Sequence, residues 1–154
     1  MTNYNNGKIY KIEPINGDDG DVYIGSTTKQ YLSQRMTAHR GQYKRFLNGK
    51  GGNVTSFKLF EKYGVKNCNI ILLESISVNS KDELLAREAH FIKTLTCVNK
   101  NIPLQTRQEY YDVNRDARLI QMKLYDDANK DAKQEYDKKR YEAKKQQKQQ
   151  PVAV

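Results

Sequence analysis

The chain has 154 residues, with 27 Lys and Arg against 18 Asp and Glu and a formal charge of +9. That length fits one domain with an appendage, and the excess of cations points to a polyanion such as nucleic acid or an acidic membrane as partner. No apolar run approaches the roughly 18 residues of a membrane span, and MTNYNNGKIY lacks the apolar centre of a signal peptide, so an intracellular protein with no membrane partner is expected. Cys68 and Cys97 stand alone without C-x-x-C or Cys/His spacing, which argues against a zinc site and for buried thiols.

Residues 1–7 are polar and read as loose. From Lys8 to Glu13 the chain alternates, Tyr10 and Ile12 on one face and Ile9 and Lys11 on the other, which predicts a strand. The turn formers of PINGDDG, Pro14 to Gly20, reverse the chain into a second strand at Asp21 to Gly25. There Val22 and Ile24 leave one face and Tyr23 the other. In the resulting hairpin Tyr10 and Tyr23 become cross-strand or diagonal neighbours, two phenols at one site. Ser26 to Thr28 offer cap oxygens, and from Lys29 the spacing of Leu32, Met36, Tyr43 and Leu47 predicts a helix, with Arg35 and His39 one turn apart on one side.

NGKGGN, Asn48 to Asn53, ends that helix in a loop. Thr55 or Ser56 then caps a short helix carrying Phe57, Leu59, Phe60 and Tyr63, closed by Gly64. The continuous apolar run CNIILLESI, Cys68 to Ile76, predicts a strand buried on both faces at the centre of the sheet. Ser80 with Glu83 forms a capping box that opens a helix from Lys81 to about Leu95. In its apolar stripe of Leu84, Leu85, Phe91, Ile92 and Leu95 the position that completes the pattern is Glu88. A carboxylate there needs a cation, a metal or hydrogen bonds. An internal ion pair with Arg35 or Arg87 is one way to supply them.

Beyond Pro103 the composition changes to Tyr, Asp, Lys, Ala and Gln. Tyr110, Asp112, Asn114, Arg115, Asp116 and Ala117 recur 15 positions on as Tyr125, Asp127, Asn129, Lys130, Asp131 and Ala132, and Asp131, Ala132 and Lys133 recur 11 positions on as Glu142, Ala143 and Lys144. These steps lie near whole helical turns, which predicts a single long charged helix, disordered after Lys144. Residues 1–103 hold +6 of the charge and 104–154 only +3, so the tail is not the main basic element.

Tyr10, Tyr23, Arg35, His39, Glu88 and Asn99 are the candidate site residues. Arginine donates a planar fork to phosphate, glutamate can hold Mg²⁺, and a phenol becomes a base where cations such as Lys11, Arg35 or His39 lower its pKa. A His39 that must stay neutral predicts loss of activity below about pH 6.5, its unperturbed pKa.

K-I-Y, V-Y-I-G-S-T, Arg35 with His39, R-E-A-H-F-I-K around Glu88, and Asn99, in that order, resemble the GIY-YIG nuclease domain. Lys8 stands where the first glycine of the motif belongs, with Gly7 before it. The resemblance implies an α+β fold, a small three-stranded antiparallel sheet flanked by helices, over residues 7–103, followed by the helical tail, 104–154. It implies a metal-dependent DNA endonuclease using Mg²⁺ or Mn²⁺, with Glu88 as metal ligand, Arg35 as phosphate clamp, Tyr10 and Tyr23 around the water with help from His39, and Asn99 as a supporting group. The tail resembles the C-terminal extensions of such nucleases encoded by large DNA viruses, so a homing-type or viral role is expected. The alternatives are a catalytically inactive DNA-binding module and an interaction protein acting through the tail.

Overall fold

Three strands form one antiparallel sheet in the order β2-β1-β3: β1 is Gly7–Pro14, β2 is Tyr23–Thr27 and β3 is Cys68–Ile76. The computed structural model describes residues 3–149. The hairpin forms as its alternation predicts, Tyr10 opposite Gly25 and Ile12 opposite Tyr23, which leaves Tyr10 and Tyr23 as diagonal neighbours on one face. Its connecting loop is pinned by Lys62, whose Nζ reaches Asp18 at 2.8 Å and Asp21 at 2.7 Å.

The centre of the sheet is β1 and not the apolar run of β3. Ile9, Tyr10 and Ile12 have no solvent exposure, whereas Ile71 and Leu72 of β3 keep 39% and 45%. The physical reason is connectivity: β2 takes one edge of β1 through the short hairpin and β3 takes the other. β3 is therefore an edge strand. A register shift opposite Ile9 and Tyr10 leaves Leu73 between the paired residues Glu74 and Leu72.

Two core clusters lie on opposite faces of the sheet. On one, Tyr10 and Ile12 pack with Met36 of α1 (Leu32–Leu47) and with Phe57, Leu59 and Phe60 of α2 (Phe57–Tyr63). On the other, Ile9 and Ile24 pack with Leu84 and Ile92 of α3 (Lys81–Thr94). α1 starts at Leu32, later than expected, because Ser26 and Thr27 belong to β2, and Thr27 Oγ1 accepts from Lys29 N at 3.1 Å and caps a turn instead. At α3, Ser80 Oγ accepts from Glu83 N at 3.2 Å, while the Glu83 carboxylate accepts from Asn79 N at 3.0 Å, one residue earlier than a regular capping box requires. Cys68 is buried and Cys97 half-buried, both as free thiols.

The chain divides into two units between Gln105 and Thr106. The second begins with a capping box, Thr106 Oγ1 accepting from Glu109 N and Glu109 Oε2 from Thr106 N, which the sequence reading passed over. It is two helices and not one: α4 (Arg107–Ala128) and α5 (Lys130–Gln149) meet at Asn129, whose φ of −108° and ψ of 9° leave the helical region. The 15-residue echo is also physical. Asn114 and Asn129 each donate Nδ2–H to the carbonyl four residues back, of Tyr110 and Tyr125, both at 2.7 Å. α5 runs to Gln149, past the expected limit at Lys144, as its alternation of helix-forming Lys, Glu, Ala and Gln favours, and residues 150–154 lie outside the described residues. Among the described residues no helix is long and apolar enough to cross a membrane.

Candidate active site

Tyr10 is the hub. It stands on the central strand, fully buried, and its phenol crosses β2 at Gly25: a Cβ there would lie 2.5 Å from Tyr10 Oη and 3.1 Å from Tyr23 Cε1. Only glycine lets both phenols reach the same side. Arg35 and His39 come to them from α1, where their four-residue spacing puts both toward the sheet. Arg35 Nε donates to Tyr10 Oη at 2.8 Å, and His39 Nε2 lies 2.8 Å from the same oxygen. The His39 ring stands edge-on to both tyrosines, with centroids at 5.9 Å from Tyr10 and 5.6 Å from Tyr23. Its Nδ1 lies 3.2 Å from Ser56 Oγ, and both residues are fully buried.

Glu88 and Asn99 approach from the other side of β2, along its outer edge. An edge strand leaves every second residue with an unpaired N–H and C=O. Here the Val22 carbonyl, both backbone groups of Ile24, and Ser26 are met in turn. Val98 N donates to Val22 O at 2.8 Å, the Asn99 amide both accepts from Ile24 N and donates to Ile24 O at 2.8 Å, and Ser26 hydrogen-bonds the Glu88 carboxylate through its hydroxyl and backbone. Asn99 therefore holds the strand between Tyr23 and Gly25 and does not itself enter the cluster of phenols. Arg87 is no partner for Glu88, because it makes a two-pronged pair with Glu74, at 2.6 Å and 3.0 Å. Arg35 acts on Glu88 through its charge.

The GIY-YIG catalytic domain family matches residues 6–101, well over half of the chain. The chain belongs to the GIY-YIG family. It is also 34% identical over 109 residues to the uncharacterized protein 019R of Invertebrate iridescent virus 6, an alignment covering 67% of this chain and 36% of that protein. The chain thus spans little more than a third of the length of the relative it matches. No solved structure matches. All six candidate residues lie within the span that matches the GIY-YIG family: five gather where Tyr10 of β1 faces Gly25 of β2, and Asn99 braces the edge of β2.

Electrostatics in this GIY-YIG site run against the expected activation of the phenols. Burial raises the pKa of Tyr10, with Tyr23 adding to it and Arg35 opposing, and burial followed by the charge of Glu88 raises that of Tyr23. Lys11 is no help, being paired with Glu13. Both phenols keep their protons at neutral pH. Burial, assisted by Arg35, holds His39 down at about 4, so the imidazole is neutral far below pH 6.5. Glu88 is raised by burial, against the Ser26 hydrogen bonds and Arg35, which is the condition of a carboxylate that a cation would stabilise. Among the described residues no three His, Cys, Asp or Glu side chains gather as a metal cage. A single carboxylate suits Mg²⁺, which keeps several waters and completes its shell with substrate phosphate.

Beside the cluster a cleft of about 280 Å³ opens between the end of β2 and the starts of α1 and α3. Lys29, Arg35 and Lys81 line it with Ser26, Gln34 and Tyr4. Gly25, Ser26 and Ser56 are the site residues that sequence reading had not singled out. Gly25 and Ser26 stand in the V-Y-I-G-S-T signature, but Ser56 reads only as one of two candidate helix caps, with Thr55, and nothing in the sequence signals its contact with His39.

Proposed function

We propose that the protein is a Mg²⁺-dependent endonuclease that hydrolyses DNA phosphodiester bonds through Tyr10, Tyr23, Arg35, His39 and Glu88, with Asn99 as a positioning residue. The observation that carries this is the convergence of Arg35 Nε and His39 Nε2 on Tyr10 Oη, both at 2.8 Å, beside the half-buried Glu88. DNA as substrate is supported by the net charge of +9 and by the cations of the cleft.

Arg35 uses Nε on Tyr10 and presents the Nη edge of its fork to the phosphate, where charge grows as water adds to phosphorus. The protonated Tyr10 serves as base by relay: it takes a proton from the attacking water while giving its own to the neutral His39 Nε2. Tyr23 keeps its proton and donates a hydrogen bond to the phosphate or the water. Glu88 and the Ser26 hydroxyl form the place for the metal. Bound there, Mg²⁺ supplies Lewis-acid stabilisation of the leaving oxygen, and Mn²⁺ can replace it. The leaving oxygen takes its proton from water as the new phosphate end and the freed hydroxyl depart, and the buried His39 passes its proton back through Tyr10 Oη to the resulting hydroxide.

The relative in Invertebrate iridescent virus 6 favours a viral role over a homing one, and a DNA substrate favours an intracellular setting. The test is conversion of supercoiled plasmid by purified protein with Mg²⁺, with EDTA, and by Glu88→Gln. We expect cutting with Mg²⁺, none with EDTA, and a loss of roughly a hundredfold or more in the variant. Binding without cutting, with Mg²⁺ or Mn²⁺ alike, would put the catalytically inactive DNA-binding module in its place.

A further inference from the structure

Ser56 occupies the position before α2 at which a serine hydroxyl usually accepts a helical N–H, and it makes no such bond. The backbone explains why it need not. Ser56 is itself in the right-handed helical region, at φ −61° and ψ −20°, and the N–H groups of Phe57, Lys58 and Leu59 go to the carbonyls of Val54, Thr55 and Ser56. The hydroxyl is left for His39 Nδ1, 3.2 Å away, where neither group meets solvent. A serine kept fully buried for one contact with a site histidine calls for a role beyond the helix.

We propose that Ser56 is a positioning residue that accepts the His39 Nδ1–H, fixing the tautomer whose bare Nε2 faces Tyr10. The argument follows the donors. Guanidinium has no acceptor, so Arg35 Nε–H must donate to Tyr10 Oη. The phenol is protonated, and its one O–H has His39 Nε2 at 2.8 Å. Nε2 therefore accepts, and the proton of the neutral imidazole sits on Nδ1, where Ser56 Oγ receives it. The reverse direction would have Oη accept two N–H groups while its own O–H sought an acceptor in a buried site. Arg35, which can only donate, thus sets the sense of the chain Arg35 to Tyr10 to His39 to Ser56, and Ser56 ends it. Without the hydroxyl, Nδ1–H is buried and unpaired, and the proton moves to Nε2, where it blocks transfer from Tyr10.

The bond direction stands without the nuclease reading, but its consequence for rate rests on it. The chain has two histidines, His39 and His90, so histidine-selective ¹⁵N labelling with a His90→Gln variant for assignment resolves the His39 nitrogens directly. At neutral pH the wild type should show a protonated-type Nδ1 and a bare-type Nε2, and Ser56→Ala should reverse or mix them. In plasmid nicking, Ser56→Ala should lower kcat on the order of tenfold to a hundredfold with KM little changed. A wild type protonated at Nε2 would overturn the proposal even if the variant failed to fold. So would a folded Ser56→Ala that keeps its Nδ1 proton, or one that reverses the tautomer and cuts at the wild-type rate. Failure of the nuclease reading would look different: no cutting by the wild type, with the nitrogen spectrum as expected.

Discussion

His39 shows how far a residue can depart from its ordinary chemistry inside a small domain. Its partners among the described residues are Tyr10, Tyr23, Arg35 and Ser56, none of them a carboxylate that would favour the charged ring, and burial holds its pKa at about 4. In the proposed mechanism a neutral His39 is the form that takes the proton from Tyr10. Nicking should therefore stay on a plateau from pH 8 down to about pH 5 as far as His39 is concerned, and a fall centred on pH 6.5 would mean that water reaches the ring. The same shift bears on stability. The folded value lies below the value of about 6.5 in the unfolded chain, so below 6.5 the unfolded state binds the proton first. The stabilisation is complete above about 6.5 and is lost as pH falls toward 4, amounting to about 3 kcal/mol. Urea unfolding from pH 7 to pH 4.5 should show that loss in the wild type and a weaker one in His39→Gln. Equal slopes would remove His39 from the account.

The edge of β2 is where separate elements become one site. Three residues along it, Val22, Ile24 and Ser26, are met by Val98, Asn99 and Glu88, so the strand that carries Tyr23 and Gly25 is held by the chain leaving α3 and by α3 itself. Asn99→Ala removes both bonds to Ile24 and should cost about 1–3 kcal/mol in urea unfolding, with lower kcat because Tyr23 and the Ser26 contact to Glu88 shift together. Asn99→Asp keeps an acceptor for Ile24 N but no donor for Ile24 O, and should fall between. If Asn99→Ala unfolds and cuts like the wild type, Val98 and Glu88 hold the edge without it. This is also the scale at which sequence reading succeeded and failed. Alternation in Lys8 to Glu13 and Val22 to Ile24 was enough to predict a hairpin with two phenols as cross-strand or diagonal neighbours on one face, because a period of two fixes the face of every side chain, and the register makes them diagonal. The apolar run from Cys68 to Ile76 misled, because composition reports apolar character and not position in the sheet, and the outward Ile71 and Leu72 sit on an edge strand. Ser56 could not be read as a site residue, since its contact with His39 spans a loop whose path nothing local determines.

At the scale of the whole molecule the charge and the number of sites decide how DNA would be handled. α4 carries five acids against four bases and α5 eight bases against four acids, so the positive charge of the tail belongs to its second helix. The residues of the proposed reaction all belong to the first unit, and each chain holds one set of Tyr10, Arg35 and Glu88. One such set can cut one strand per encounter, because hydrolysis of one phosphodiester leaves the opposite phosphate on the far side of the duplex. A supercoiled plasmid should therefore pass to open circle first, and linear product should follow only as independent nicks fall close together on opposite strands. At limiting protein the open circle should dominate, with linear DNA rising more steeply than in proportion to protein concentration. Linear product appearing without an open-circle phase at limiting protein would mean that two chains act together on the duplex. Two Tyr10–Arg35 sets would then have to face opposite strands, and mixing wild type with Glu88→Gln would convert that linear product into open circle.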